Sequence, residues 1–174
     1  MAAMKPETAR PAHPDTARLA PVAILAASVG ALGFAYFTEY VQGIEPCPLC
    51  LWQRVPYAVA GLLAIAALLA SADRWRAVAV AASGAAFTVG MGIALYHVGV
   101  EQHWWASAAC AAGSDKVPAT VTELRAMLTA APPKPCDALD WTLFGVSMAT
   151  YNVAASAALA VGALWAADKI RKAS

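Results

Sequence analysis

Apolar residues gather in four blocks along the chain, Leu19–Phe37, Val55–Leu69, Ala77–Val98 and Leu143–Ala167. A helix rises about 1.5 Å per residue and the hydrocarbon core of a bilayer is about 30 Å thick, so a span needs about 20 residues. The first, third and fourth blocks meet that length, and the second does once Ala70–Ala72 extend it. No polar stripe recurs at helical spacing to face water, which argues against a soluble bundle. The blocks are rich in Ala, Leu, Val and Gly, and small residues let helices approach closely in lipid. The pattern predicts an all-α membrane protein, a bundle of four transmembrane helices. The first block follows an 18-residue tail and outruns the core of a secretory signal, about 7–15 residues, so it is expected to be a retained span.

Composition agrees with that pattern. The 174 residues are 60% apolar and 13% charged, against about 25% charged in soluble domains. A formal net charge of +1 gives no reason to expect a nucleic acid. Charge placement sets the orientation. Lys5, Arg10, Arg18, Arg74, Arg76, Lys169, Arg171 and Lys172 share one side, leaving Arg54, Lys116, Arg125 and Lys134 on the other. Basic excess near span ends marks the cytoplasmic face. Both termini are therefore expected inside, and the segments at about 38–53 and 99–142 outside.

Residues 1–18, rich in Pro, Ala and Thr, read as a disordered cytoplasmic tail, and 19–174 as one membrane domain. In the longer outer segment Val117, Val121, Leu124 and Leu128 recur at helical spacing, with Pro118 suited to a first turn and Pro132-Pro133 ending the run. This predicts a short amphipathic helix, either on the bilayer surface or packed on its own spans. Trp52, Tyr57, His103, Trp104, Trp105 and Trp141 lie near span ends, as interfacial aromatic belts do.

The chain has four cysteines, Cys47, Cys50, Cys110 and Cys136, all in the two outer segments. An even count on the side where disulfides persist fits two disulfides. Cys47-Pro48-Leu49-Cys50 is a Cys-x-x-Cys pair, whose environment can lower the attacking thiol's pKa. Such a short ring is more often redox-active than structural. Cys110 and Cys136 stand 26 residues apart, which suits a loop-closing bridge. A four-cysteine zinc site is disfavoured, because its usual pattern has two closely spaced pairs. No metal is expected.

Two further residues are candidates. Arg54 lies four residues after Cys50. On a helix the two would share a face and the guanidinium would favour a thiolate; alternatively Arg54 snorkels to a headgroup. The cysteine favours the first reading. Pro56 leaves the helix start, and so the alignment, open. His97, near the outer end of the third block with Glu101 one turn on, is either functional, as ionisable groups at membrane depth tend to be, or a structural hydrogen-bonding group.

These residues together resemble the disulfide bond formation protein B family (DsbB), bacterial inner-membrane thiol oxidases. Four motifs carry the likeness: Cys47-Pro-Leu-Cys50-Leu-Trp-Gln-Arg54; Tyr96-His97, 13 residues before Cys110; the Cys110/Cys136 pair; and Phe144-Gly-Val-Ser-Met148, 12 residues after Cys136. The resemblance covers nearly the whole chain beyond the tail. It implies a four-helix bundle that re-oxidises a soluble thioredoxin-fold partner of the DsbA type and passes electrons to a membrane quinone, ubiquinone or menaquinone. It implies that Cys110 forms the mixed disulfide with the partner, that freed Cys136 attacks Cys47, and that Cys50 carries the thiolate facing the quinone. Arg54, His97 and Met148 would border that ring. A vitamin K epoxide reductase-like protein is disfavoured, because there the Cys-x-x-Cys follows the loop cysteines. The alternatives from the residues are a four-span scaffold with structural disulfides and an oxidase serving one dedicated client.

Overall fold

The computed structural model describes residues 14–107, 110, 119–129, 134–137 and 142–173. Four long helices form the bundle: α1 (Pro14–Tyr40), α2 (Pro48–Leu69), α3 (Asp73–Glu101) and α5 (Met148–Ala173). All four are long and apolar enough to cross a membrane. A short α4 (Val121–Thr129) lies in the second outer segment. The chain is a multi-pass membrane protein built as a helical bundle. Its outer faces carry Leu62, Ile65, Val89, Val161 and Trp165, all exposed. In water such a surface would be an aggregation liability, whereas in lipid it is the ordinary outer face of a bundle.

The core is made of small side chains. Ala60, Ala64 and Ala67 on α2 are fully buried, as are Val80 and Phe87 on α3, and Ala160, Ala163, Ala167 and Ile170 on α5 complete the cluster. α5 packs along α3, α3 along α2, and α1 mainly along α2. Close approach depends on glycine at two positions. A Cβ on Gly84 would lie 2.9 Å from Leu164, and one on Gly90 would lie 3.1 Å from Pro56. The α2–α3 link is tied by Arg76, which donates to the carbonyls of Ala67 and Ala70 at the end of α2.

Three boundaries differ from the sequence pattern. α1 begins at Pro14, inside the stretch read as tail. α2 begins at Pro48 and runs through Pro56. Pro48 occupies the first helical position, where a missing N–H costs nothing, and Cys47 is the N-cap whose sulfur accepts from the Cys50 N–H at 3.3 Å. The fourth span starts only at Met148, because residues before it form a two-residue hairpin, β1 (Thr142–Leu143) with β2 (Val146–Ser147). Its turn, Phe144-Gly145, has φ of 52° and 77°, the left-handed pair that a tight hairpin needs. α4 opens on Thr120, whose Oγ1 accepts from the Glu123 N–H, while Glu123 accepts from the Ala119 N–H, a variant of the capping box. Val121 and Leu124 are exposed on it. Val117, Pro118, Pro132, Pro133 and Trp141 lie outside the described residues.

Candidate thiol redox site

The two outer segments meet at one end of the bundle. Cys47, Leu49, Val100 and Cys136 form a buried cluster, with Cys50 and Cys110 packed against it. Cys110 and Cys136 are joined by a disulfide, with Cα atoms 5.8 Å apart, while Cys47 and Cys50 are free thiols. Four cysteines that span ninety residues of sequence thus share one small region. The second segment is held on the first by Lys134, which donates to the Glu45 carbonyl at 2.8 Å, and by the ring of His97, which reaches the Cys136 carbonyl at 3.2 Å.

Exposure separates the sulfurs. Cys47 and Cys136 are buried, whereas Cys110 and Cys50 are half-buried. Cys110 opens on a surface hollow lined by His103, Trp105, Pro135 and Asp137. Cys50 opens on a different one, a cavity of ≈ 440 Å³ between α1 and α5. One pair therefore reaches water through Cys110, and the other reaches the bundle's groove through Cys50.

The Cys47 and Cys50 sulfurs are 3.0 Å apart, and Cys47 lies 3.6 Å from the His97 Nε2. The donor atoms of all three residues fall within 4.8 Å of one another. The Cys47 thiol is lowered to about 4, chiefly by the hydrogen bond from Cys50, with burial opposing and the hydrogen bond from His97 adding. Its place at the N-terminus of α2 works in the same direction. One prediction follows directly. In the dithiol form, alkylation of Cys47 is expected to stay fast well below about pH 8.5, where ordinary thiols lose reactivity, and to fall only as pH nears about 4. Reactivity titrating in the ordinary thiol range would show that the pair holds no thiolate.

Every residue singled out from the sequence except the two loop cysteines lines the groove: Cys47, Cys50, Arg54, His97 and Met148. Because α2 is continuous, Cys50 and Arg54 do lie one turn apart on a single helix. Arg54 is fixed from α1, by an ion pair with Glu39 at 2.5 Å and by its guanidinium lying 4.9 Å from the Tyr36 ring centroid. Met148 is the first residue of α5. Ala31, Leu32, Phe34 and Ala35 on α1 and Ala149 and Ala155 on α5 give the groove apolar stretches, while Gln53, Glu101 and Asn152 add polar groups to its lining.

Several residues escaped the sequence reading. Glu39 and Tyr36 hold Arg54, and Glu101 accepts from the Ser147 hydroxyl at 2.6 Å. A buried polar ladder runs from His97 through Gln53 to Asn152, Tyr57 and Ser156. The available signal was Asn152 inside the fourth apolar block, where polar groups are expensive; Gln53 lay in the segment read as outer.

Comparison with known proteins agrees with this geometry. A family model described as "Disulfide bond formation protein DsbB" matches residues 17–166. A protein of Hahella chejuensis named "Disulfide bond formation protein B" is 32% identical over 157 residues, covering 84% of this chain and 89% of that protein. Proteins of the same name from Methylobacillus flagellatus and Acinetobacter baumannii are 33% and 30% identical, covering 79% and 85% of this chain and 85% and 89% of theirs. No solved structure matches.

Proposed function

The chain belongs to the disulfide bond formation protein B family, and on that premise we propose that it re-oxidises a DsbA-like periplasmic dithiol partner and delivers the electrons to a membrane quinone. The observation that carries this reading is the convergence of two cysteine pairs from separate segments, one half-exposed to solvent at Cys110 and one opening on an apolar groove at Cys50. The family name supports disulfide-forming oxidoreductase activity, and the basic residues flanking the spans support an inner-membrane placement with both termini cytoplasmic.

The exchange steps balance without any other group. A partner thiolate attacks Cys110, forming the mixed disulfide and releasing Cys136. When Cys47 and Cys50 are disulfide-bonded, Cys136 attacks Cys47; the Cys47–Cys136 bond forms and Cys50 leaves as a thiolate. The partner's second thiol then attacks its own mixed disulfide, forming the partner's disulfide and freeing Cys110. Cys110 attacks Cys136, restoring the Cys110–Cys136 bond and releasing Cys47, so that two electrons now reside on the Cys47/Cys50 dithiol. Stabilising the Cys47 thiolate stabilises this reduced form. That makes the Cys47–Cys50 disulfide a stronger oxidant, as a partner with a potential near about −120 mV requires.

The groove fits a quinone. Its apolar stretches on α1 and α5 suit a ring with a long hydrocarbon tail, and its polar groups suit the ring's oxygens. Arg54 at its outer end offers donors for a carbonyl oxygen, and Cys50, His97 and Met148 border the same space. A quinone bound there supplies the oxidant, taking up two electrons and two protons. The residues of the chain orient and bind: Glu39 and Tyr36 aim Arg54, and the α1 and α5 walls exclude water. The test is reduction of a soluble quinone by the purified protein, with and without a reduced DsbA-like partner. Turnover only with both is expected; none with both would leave a scaffold with structural disulfides.

A further inference from the structure

The buried ladder around His97 has a direction, and one backbone carbonyl sets it. His97 Nδ1 lies 2.7 Å from Gln53 Nε2. Gln53 Oε1 accepts from the Asn152 amide. Asn152 Oδ1 accepts from the Tyr57 hydroxyl at 2.6 Å and from Ser156 Oγ at 3.1 Å. Such an amide chain is self-consistent either way round, since each amide can be turned end for end. Its far end expresses no preference, because hydroxyls both donate and accept. The near end does. His97 Nε2 is 3.2 Å from the Cys136 carbonyl oxygen, which can only accept. Glu101 Oε1, 3.9 Å from the same nitrogen, is also an acceptor. Nε2 therefore carries the hydrogen, and in the neutral ring Nδ1 keeps the lone pair. Gln53 must then present its NH₂, and Asn152 must present its NH₂ to Gln53.

We propose that Gln53 and Asn152 are positioning residues that hold the His97 ring in place through its Nδ1, so that one ring N–H, whose tautomer the Cys136 carbonyl sets, joins the two cysteine centres by serving both that carbonyl and the Cys47 sulfur. The lock reaches across three spans, from α2 (Gln53, Tyr57) through α3 (His97) to α5 (Asn152, Ser156). In lipid each of these polar groups must be satisfied internally, which makes the arrangement costly to break. Without the Gln53 donor the Nδ1 lone pair is left buried and unpartnered, and the ring is free to turn in search of a donor. Its Nε2–H then leaves the Cys136 carbonyl and the Cys47 sulfur, and the second segment loses its hold beside Cys47. The inference deepens the proposed function by naming what sets up its inter-segment exchange step, and it rests on that reading.

The test uses the full-length protein in detergent, in a Cys50→Ser background and without quinone. There Cys47 attacks Cys136, the Cys47–Cys136 bond forms, the Cys110–Cys136 bond breaks, and Cys110 leaves as a thiol that can be alkylated. No outside oxidant is needed. Asn152→Leu and Gln53→Met, both close in volume to the native residues, are expected to slow this exchange about 10–100-fold, the scale seen when a histidine loses its orienting partner. Nitrogen-15 spectra of His97 are expected to show a protonated Nε2 and a bare, hydrogen-bonded Nδ1 in the otherwise native protein, and loss of the hydrogen-bond shift at both nitrogens in the two variants. A native ring protonated at Nδ1, or exchange at an unchanged rate in Asn152→Leu, would overturn the lock. Failure of Cys47–Cys136 to form in Cys50→Ser alone would instead count against the proposed function, and the native spectrum, which needs no variant, would still decide the tautomer.

Discussion

Replacing Cys50 with serine is expected to lower partner-dependent quinone reduction by about 10³-fold or more, as removal of a covalent participant does in other enzymes. Cys110 is half-buried and opens on its own surface hollow, so a partner can still form the mixed disulfide there for as long as Cys110 remains joined to Cys136. What is lost is the sulfur that faces the groove. Serine occupies nearly the same volume but cannot form a disulfide with Cys47, so no oxidised Cys47–Cys50 pair exists for Cys136 to attack. Measured together, formation of the Cys47–Cys136 bond and absent quinone reduction would place Cys50 on the electron path. Substantial turnover in the variant would remove it from that path.

The second large effect is expected at Arg54. Arg54→Ala should raise the KM for a soluble quinone about 10–100-fold while changing the KM for the partner less than about twofold. Hydrogen bonds from charged donors contribute about 1.5–3 kcal/mol, which is the size of that shift. The asymmetry follows from position. Arg54 lines the α1–α5 groove, one turn below Cys50, and does not line the hollow over Cys110. Its guanidinium is held by Glu39 and by the face of Tyr36, and its loss leaves the Glu39 carboxylate without this counter-ion. A thermal-unfolding midpoint measured on the same variant separates that structural cost from the binding effect. Equal increases in both KM values would make Arg54 a helix-pinning residue and no more.

The bundle was legible because each span is a continuous apolar run, a pattern that needs no tertiary information. The helix starts were less so. Pro56 reads as a helix boundary from its effect on the preceding residue, yet α2 runs through it from Pro48. The missing Cβ of Gly90 makes room for the Pro56 ring against α3. The β1–β2 hairpin was missed because Phe144 must adopt a positive φ, which a sequence gives little warning of in a non-glycine residue.

At the site, Cys47, Cys50, Cys110 and Cys136 were legible as two pairs, and Arg54, His97 and Met148 as neighbours by resemblance. The supporting groups were not. Asn152 meets Gln53 across 99 positions of sequence and Glu39 meets Arg54 across 15. Nothing local marks either pair, and only the packing of α1 and α5 on α2 brings them together. The resemblance assigns the thiolate to Cys50 in the state where Cys136 holds Cys47; in the free dithiol it is the Cys47 thiol that the hydrogen bonds of Cys50 and His97 lower. Within the exchange sequence both hold charge in turn: Cys50 when Cys136 displaces it, and Cys47 once the second bond is restored.

The whole account needs sulfurs from two outer segments to bond to each other during turnover. The direct measurement is mass spectrometry of acid-quenched, alkylated Cys50→Ser protein after exposure to a reduced DsbA-like partner and to buffer alone. A peptide pair joined through Cys47 and Cys136, with Cys110 alkylated, is the predicted product. Cys47 recovered only as the alkylated thiol, with Cys110 and Cys136 always joined to each other or to the partner, would contradict it.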